Sequence, residues 1–291
     1  MPDHNLIIQG RSLAPSHLRT LLKLAHAHSH ETVDAMAIRF VQADVTAAPA
    51  VAAYCEQAQL DFGYVKAGMR LGDFGLIAMD MDSTLITIEC IDEIADFAGL
   101  KEQVAAVTAA SMRGEIDWPQ SLRQRVALLK GLDESALQRV YEERLQLSPG
   151  AEQLILAAQR QGIKLLLVSG GFTYFTERLK QRLGIDYAFS NLLEIEKGRI
   201  TGRVTGELLD AVAKAAHVAR VRDELGLTRE QLMVIGDGAN DLGMLAETNF
   251  SVAFHAKPVV RREAAYAINY SGLDALLNLF PAECGVSGKG K

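Results

Sequence analysis

Two aspartates one residue apart, Asp80 and Asp82, close the apolar run Gly75–Met79 and are followed at once by Ser83 and Thr84. Carboxylates that close repel, so one must change its pKa or both must find a cation. Three further polar clusters stand in the same half of the chain: Ser169-Gly170-Gly171 after "KLLLV", Lys214 in "DAVAKAAHVARVRDELG", and Asp237, Asn240 and Asp241 in "GDGAND". Asp80, Asp82 and Asp237 together can hold a hard cation such as magnesium, which takes oxygen ligands and shares them with a substrate phosphate. Ser169 offers that phosphate a hydroxyl, and Gly170 lets a backbone N–H come close at a helix N-terminus. Lys214 offers a point positive charge.

Read singly, each cluster has a plainer meaning. Asp-x-Asp-Ser-Thr as a mere helix cap leaves the second aspartate without a purpose. It is not an EF-hand loop, because Leu85 stands where Gly is needed and Ile91 where Glu is needed. "SGG" and "GDGAND" alone are turn signals, and Lys214 alone is a solvated helix lysine. A phosphate-binding GxxxxGK[ST] loop is absent. The histidines of "HAHSH", His26, His28 and His30, read as a solvated helix end rather than a metal site, since only His26 and His30 would share a helical face. The conjunction of the four clusters, in order and at element ends, carries the chemical reading.

The elements that must position these residues follow from periodicity. From about residue 75, apolar strands ("GLIAM", "KLLLVS", "YAFSN", "QLMVIG", "FSVAF") alternate with helical segments such as "FTERLKQRLG". That alternation predicts a Rossmann-like parallel sheet covered by helices, an α/β fold. Its functional crevice lies beyond the carboxyl ends of the strands, where three of the four clusters sit. "LLEIEKGRITGRVTGEL" reads as a hairpin turning at Lys197-Gly198. Residues from about 90 to 145 contain only helical patterns and form an insertion of the kind that acts as a lid.

Residues 1–72 read as a small separate α/β unit: strand "NLIIQG", amphipathic helix "SHLRTLLKLAHAHS", strand "DAMAIRFVQA" and helix "APAVAAYCEQAQLDF". "GYVKAGMRLGDFG", with four glycines, leads into the next domain, 73–283, and 284–291 form a flexible tail. A length of 291 residues, with 49% apolar and 23% charged residues, suits a soluble chain with one large or two smaller cores. The net charge of −6 speaks against a broad nucleic-acid surface, and no apolar run is long enough for a membrane span. No secretory signal is evident, and three scattered cysteines, Cys55, Cys90 and Cys284, fit a reducing cytoplasm rather than a disulfide framework. Cys90, close to the aspartates, reads as a packed small hydrophobe.

"DMDSTL", "VSGGF", Lys214 and "GDGANDLGML" resemble the four motifs of the haloacid-dehalogenase-like phosphohydrolases, over residues 75 to about 280. "DSTLITIECIDEIA" and "MRGEIDWPQSLRQRVALLKGL" narrow the resemblance to the branch that hydrolyses phosphoserine. Residues 1–72 resemble the small ACT-like regulatory domain of some bacterial relatives, and would give a homodimer contact. The resemblance implies one magnesium per active site, held by the carboxylates of Asp80 and Asp237 and the backbone carbonyl of Asp82, with Asp241 orienting a metal-bound water. It implies Asp80 as nucleophile, forming an aspartyl-phosphate, and Asp82 as general acid and then base. Ser169, Gly170 and Lys214 would hold the phosphoryl oxygens, and Asn240 would line the site. An amino-acid substrate also needs a fixed negative group for its ammonium and a bidentate cation for its carboxylate. Glu89 and Arg125 take these roles in the family pattern, with Met112 and Trp118 as the apolar lid wall. Three rival functions remain: a phosphotransferase of the same fold, a broader phosphatase for other small phosphates, which the Glu89 and Arg125 pair argues against, and a non-enzymatic amino-acid sensor. The sensor would predict loss of Asp80, Asp82, Lys214 or Asp237, and all four are present.

Overall fold

The computed structural model describes residues 3–281, so the expected tail and Cys284 lie outside the described residues. The N-terminal unit runs β1 (His4–Gln9), α1 (Pro15–Leu24), β2 (Ser29–Asp34), β3 (Ala37–Val41), α2 (Ala48–Ala58), β4 (Asp61–Lys66). Its strands lie antiparallel in the order β2-β3-β1-β4, the ferredoxin-like arrangement. The period-2 alternation of β1 divides its side chains between two cores. Leu6 and Ile8 pack with Leu21, Phe40 and Val51 inside the unit, and Ile7 faces the opposite way into the main core.

Three expectations for this region are corrected. The first helix ends at Leu24 rather than running to Ser29, and His26 adopts a positive φ of 48°. His30 lies on β2, so His26 and His30 share no helical face. β2 is a polar, exposed edge strand with no apolar alternation to announce it. β4, expected as the end of a helix and a linker, is the joint itself: Phe62 pairs with Ala267, which makes one continuous eleven-stranded sheet. Asp61, 1% exposed, secures that joint by accepting the backbone N–H groups of Asn269 (2.6 Å) and Ser271 (2.9 Å).

The remainder begins with β5 (Leu76–Met79), followed by the insertion α3 (Cys90–Phe97), α4 (Lys101–Met112), α5 (Trp118–Leu128) and α6 (Ser135–Arg139). Then come α7 (Ala151–Arg160), β6 (Lys164–Phe172), α8 (Thr173–Leu183), β7 (Tyr187–Glu196), β8 (Arg199–Thr205) and α9 (Ala211–Glu224). The chain closes with β9 (Leu232–Gly236), α10 (Leu242–Leu245), β10 (Phe250–Phe254), α11 (Pro258–Glu263) and β11 (Tyr266–Ile268). The parallel strands stand in the order β11-β10-β9-β5-β6-β7. The chain therefore builds outward from β5 to β6 and β7, then returns to the other side through β9. The reversal between β5 and β9 is a topological switch point, and it opens a crevice above those two strand ends.

β7 and β8 form the expected hairpin, turning at Lys197 and Gly198 with φ of 51° and 74°. β7 is longer than the segment "YAFSN", continuing without a break into the hairpin. The hairpin braces the lid: Gly131 N–H donates to Ile200 O (2.8 Å) and Glu134 N–H to Gly198 O (2.9 Å). Leu122, Val126, Leu137 and Val140 of the lid share one apolar cluster with Ile77, Met79 and Leu165 of the sheet. No helix among the described residues is long and apolar enough to cross a membrane.

Candidate active site

Strands β5 and β9 end beside each other, and Asp80 N–H donates to Ile235 O (3.0 Å) across the gap. The chain then turns sharply through residues 81–85, with Ser83 at φ 56°, and both Asp80 and Asp82 line the crevice. Asp80 is 5% exposed. Its Oδ1 accepts from Met81 N–H (2.8 Å) and lies 2.7 Å from Lys214 Nζ. Lys214, itself 1% exposed on α9, also donates to Asp241 Oδ1 (2.8 Å). The other oxygen of Asp241 accepts the N–H groups of Asp237 (3.1 Å) and Gly238 (2.9 Å), which ties the loop after β9 to the same lysine. Thr84 Oγ1 donates to Asp237 Oδ1 (3.0 Å) and joins the two strand ends again.

One oxygen each of Asp80, Asp237 and Asp241 falls within 4.8 Å of the others. Lys214 is the one cation that touches this group among the described residues, so the cluster carries excess negative charge in a buried place. The electrostatics register it. Burial, and next the charge of Asp241, push the Asp80 carboxyl well above its ordinary value. Burial and then the Asp241 charge raise Asp237 to about 6. Burial and the nearby Glu89 charge raise Asp82 to about 7, against the opposing hydrogen bond from Cys90 N–H (3.3 Å). No hydrogen bond among the described residues reaches the second oxygen of Asp80 or of Asp237. Uncompensated charge and free carboxylate oxygens in one place suit a hard divalent cation.

The cavity above this floor has a volume of about 350 Å³, within the range of small-molecule sites. Of the residues singled out in the sequence, Asp80, Asp82, Glu89, Met112, Trp118, Arg125, Gly170, Asp237 and Asn240 line it. Ser169, Lys214 and Asp241 lie directly beneath, buried. Gly170 is required by space: a Cβ there would stand 2.9 Å from the Trp118 ring. Ser169 Oγ accepts the Gly171 N–H (2.9 Å), and Asn191 Nδ2 donates to Gly170 O (2.8 Å), which fixes the peptide groups after β6. On the opposite wall, Ser83 Oγ donates to Glu89 Oε1 (2.8 Å), and Arg125 Nε donates to Ser121 O (3.4 Å). Met112 stands at the rim, 69% exposed. Cys90 is buried, and burial pushes its thiol far above the usual value, so it offers no nucleophile.

Several polar residues of the site escaped the reading of the sequence, among them Lys257, Asp92 and Asn191. Lys257 lines the cavity from the start of α11, and its N–H donates to Asp237 O (3.2 Å). Its signal was available, since it follows the carboxyl end of β10. Asp92 lines the cavity one helical turn beyond Glu89. Asn191 carried no signal, because it lies inside a strand and acts through Gly170.

The family described as haloacid dehalogenase-like hydrolase matches residues 74–248, and a domain of unknown function matches residues 6–51. A phosphoserine phosphatase of Albidiferax ferrireducens is 54% identical over 217 residues, covering 73% of this chain and 92% of the relative. Among solved structures, a HAD family hydrolase of Salmonella enterica serovar Typhi superposes with a TM-score of 0.88 at 31% identity, covering 96% of this chain and 99% of the other. A substrate-bound phosphoserine phosphatase gives 0.67 at 36% identity, over 72% of this chain and 99% of its own.

Proposed function

The chain belongs to the haloacid dehalogenase-like hydrolases, and from that premise we propose that it is a magnesium-dependent phosphoserine phosphatase, releasing L-serine and phosphate at the last step of serine synthesis. The observation that carries this reading is the placement of the Asp80–Lys214–Asp241 cluster opposite Glu89 and Arg125 on one cavity. A phosphate seated on the floor leaves the amino-acid end facing a carboxylate and a guanidinium.

In this mechanism the Asp80 carboxylate attacks phosphorus. An aspartyl oxygen–phosphorus bond forms as the bond to the serine oxygen breaks. Asp82, raised to about 7, is partly protonated at neutral pH and gives its proton to the departing oxygen. The same carboxylate then takes a proton from the water that hydrolyses the aspartyl-phosphate. Lys214, the Ser169 hydroxyl and the Gly170 N–H hold the non-bridging oxygens, with Asn240 beside them. Glu89 receives the ammonium and Arg125 forks onto the carboxylate, while Met112 and Trp118 cover the substrate. Asp80, Asp237 and the Asp82 carbonyl, with Asp241 behind them, would hold magnesium, which would supply positive charge beside the phosphoryl group. The cysteine usage supports a cytoplasmic setting, and the ferredoxin-like topology of the N-terminal unit supports an ACT-like regulatory or dimerising role.

Phosphate release from L-phosphoserine, with and without magnesium, tests the reading. Magnesium-dependent release is expected, and Arg125→Ala should lower kcat/KM for phosphoserine by about 100-fold while lowering it far less for phosphoethanolamine, which lacks the carboxylate. Equal losses on both esters contradict the assigned role of Arg125.

A further inference from the structure

Arg125 and Asp92 face the same cavity from neighbouring lid helices, and neither is satisfied. Arg125 is half-buried, makes one long hydrogen bond to Ser121 O (3.4 Å), and forms no ion pair among the described residues. Asp92, in the first turn of α3, has an oxygen, Oδ1, that is closed off from solvent and has no hydrogen-bond partner. Such an atom is costly to leave unpaired, so the resting arrangement is incomplete. Among the carboxylates, Asp92 acts most strongly on the Arg125 charge, ahead of Glu89 and Asp82.

A count of donors suggests how the two are completed. A guanidinium carries five N–H groups. A bidentate grip on a carboxylate uses two, and the Ser121 carbonyl takes the one on Nε. Two remain, on the side turned away from the ligand. Asp92 Oδ1 is hidden from solvent and so calls for a donor from the protein, and Arg125 is the cation that acts on Asp92 most strongly. Resting on the phosphoserine reading above, we propose that Asp92 is a positioning residue for Arg125: its buried Oδ1 takes a guanidinium N–H that the substrate leaves unused and so aims the fork at the substrate carboxylate. Glu89, the N-cap residue of α3 three positions before Asp92 and held by the Ser83 hydroxyl, remains the group for the ammonium. The lid then tells an amino-acid ester from a simple one through a pair, Asp92 and Arg125, rather than through the arginine alone.

The test uses three esters with the full-length protein and magnesium: phosphoserine, phosphoethanolamine (no carboxylate) and 3-phosphooxypropanoate (no amine). Asp92→Asn and Asp92→Ala should raise KM for phosphoserine and 3-phosphooxypropanoate by about tenfold, with kcat little changed, and shift phosphoethanolamine less than about twofold. In an Arg125→Lys background, Asp92→Asn should cost little more, because the lysine has no fork to aim. Equal losses on all three esters make Asp92 a structural residue and overturn the proposal. Losses confined to the two amine-bearing esters make it an ammonium acceptor and overturn it as well. So do fully additive effects of Asp92→Asn and Arg125→Lys. If wild type prefers phosphoserine and the Asp92 variants keep that preference, the proposal alone fails. If wild type does not distinguish phosphoserine from phosphoethanolamine, the amino-acid reading of the site fails, and this proposal with it.

Discussion

The floor of the cavity and its lid are built on opposite principles. On the floor, Lys214 bridges Asp80 and Asp241, Asp241 holds two backbone N–H groups, and Thr84 holds Asp237. Each group there fixes another, and Lys214 on α9 ties together the carboxylates that follow two adjacent parallel strands. In the lid, Arg125 has one weak hydrogen bond, Asp92 has an unpaired oxygen, and Met112 stands mostly in solvent. The difference assigns the labour. Groups that must meet a phosphoryl centre in fixed geometry are preorganised by the sheet. Groups that must discriminate the rest of the substrate are left for the substrate to complete, as in sites closed by ligand-driven lids.

The sharpest way to break this contrast is to remove the cation of the floor. Lys214→Met leaves Asp80 and Asp241 buried without their counter-charge, which should cost about 3 to 5 kcal/mol of stability in urea unfolding. Arg125→Ala orphans no ion pair and should cost under about 1 kcal/mol by the same measurement. Similar losses from the two variants would show that the floor is no more preorganised than the lid.

The pH dependence of the metal-free protein sharpens the contrast further. Asp237 and Asp82 have folded values of about 6 and about 7 against an ordinary 3.8. Between those limits the folded state holds protons that the unfolded chain has released, so stability falls as pH rises from about 4 to 7. The expected loss is on the order of 5 kcal/mol, and saturating magnesium should abolish most of it by binding the ionised cluster. Denaturant midpoints at pH 5 and 7.5, with and without magnesium, measure it. A metal-free protein that gains stability across this range would contradict the charge-excess account of the floor. The smallest effect is expected at the rim, where Met112→Ala should change stability by less than about 0.5 kcal/mol and kcat/KM by no more than about threefold.

The floor was legible in the sequence because its chemistry sits at strand ends, and strand ends are marked by the change from apolar runs to polar residues. Asp80, Ser169 and Asp237 each follow such a run. Lys214 was read through its order among the motifs, since nothing local distinguishes it from a surface lysine. The lid was legible as helices, and Arg125 and Glu89 through the family pattern. Asp92 was missed because a carboxylate in the first turn of a helix has an ordinary electrostatic explanation. The N-terminal unit was read least well. β2 is polar because it is an exposed edge, and β4 was hidden because the run before it, "CEQAQL", continues a helical pattern until Gln59 turns into the left-handed region. What joins the two units, Asp61 bonded to the backbone of residues 269–271, is a contact over some 200 positions of sequence that no local pattern records.

The most direct measurement of the central claim is to quench the enzyme during turnover of labelled phosphoserine and map any covalent phosphate by mass spectrometry. A hydroxylamine-sensitive phosphoryl group on Asp80, absent from Asp80→Asn together with turnover, is the expected result. Steady phosphate release with no covalent phosphate on Asp80, or turnover that survives Asp80→Asn, would contradict it.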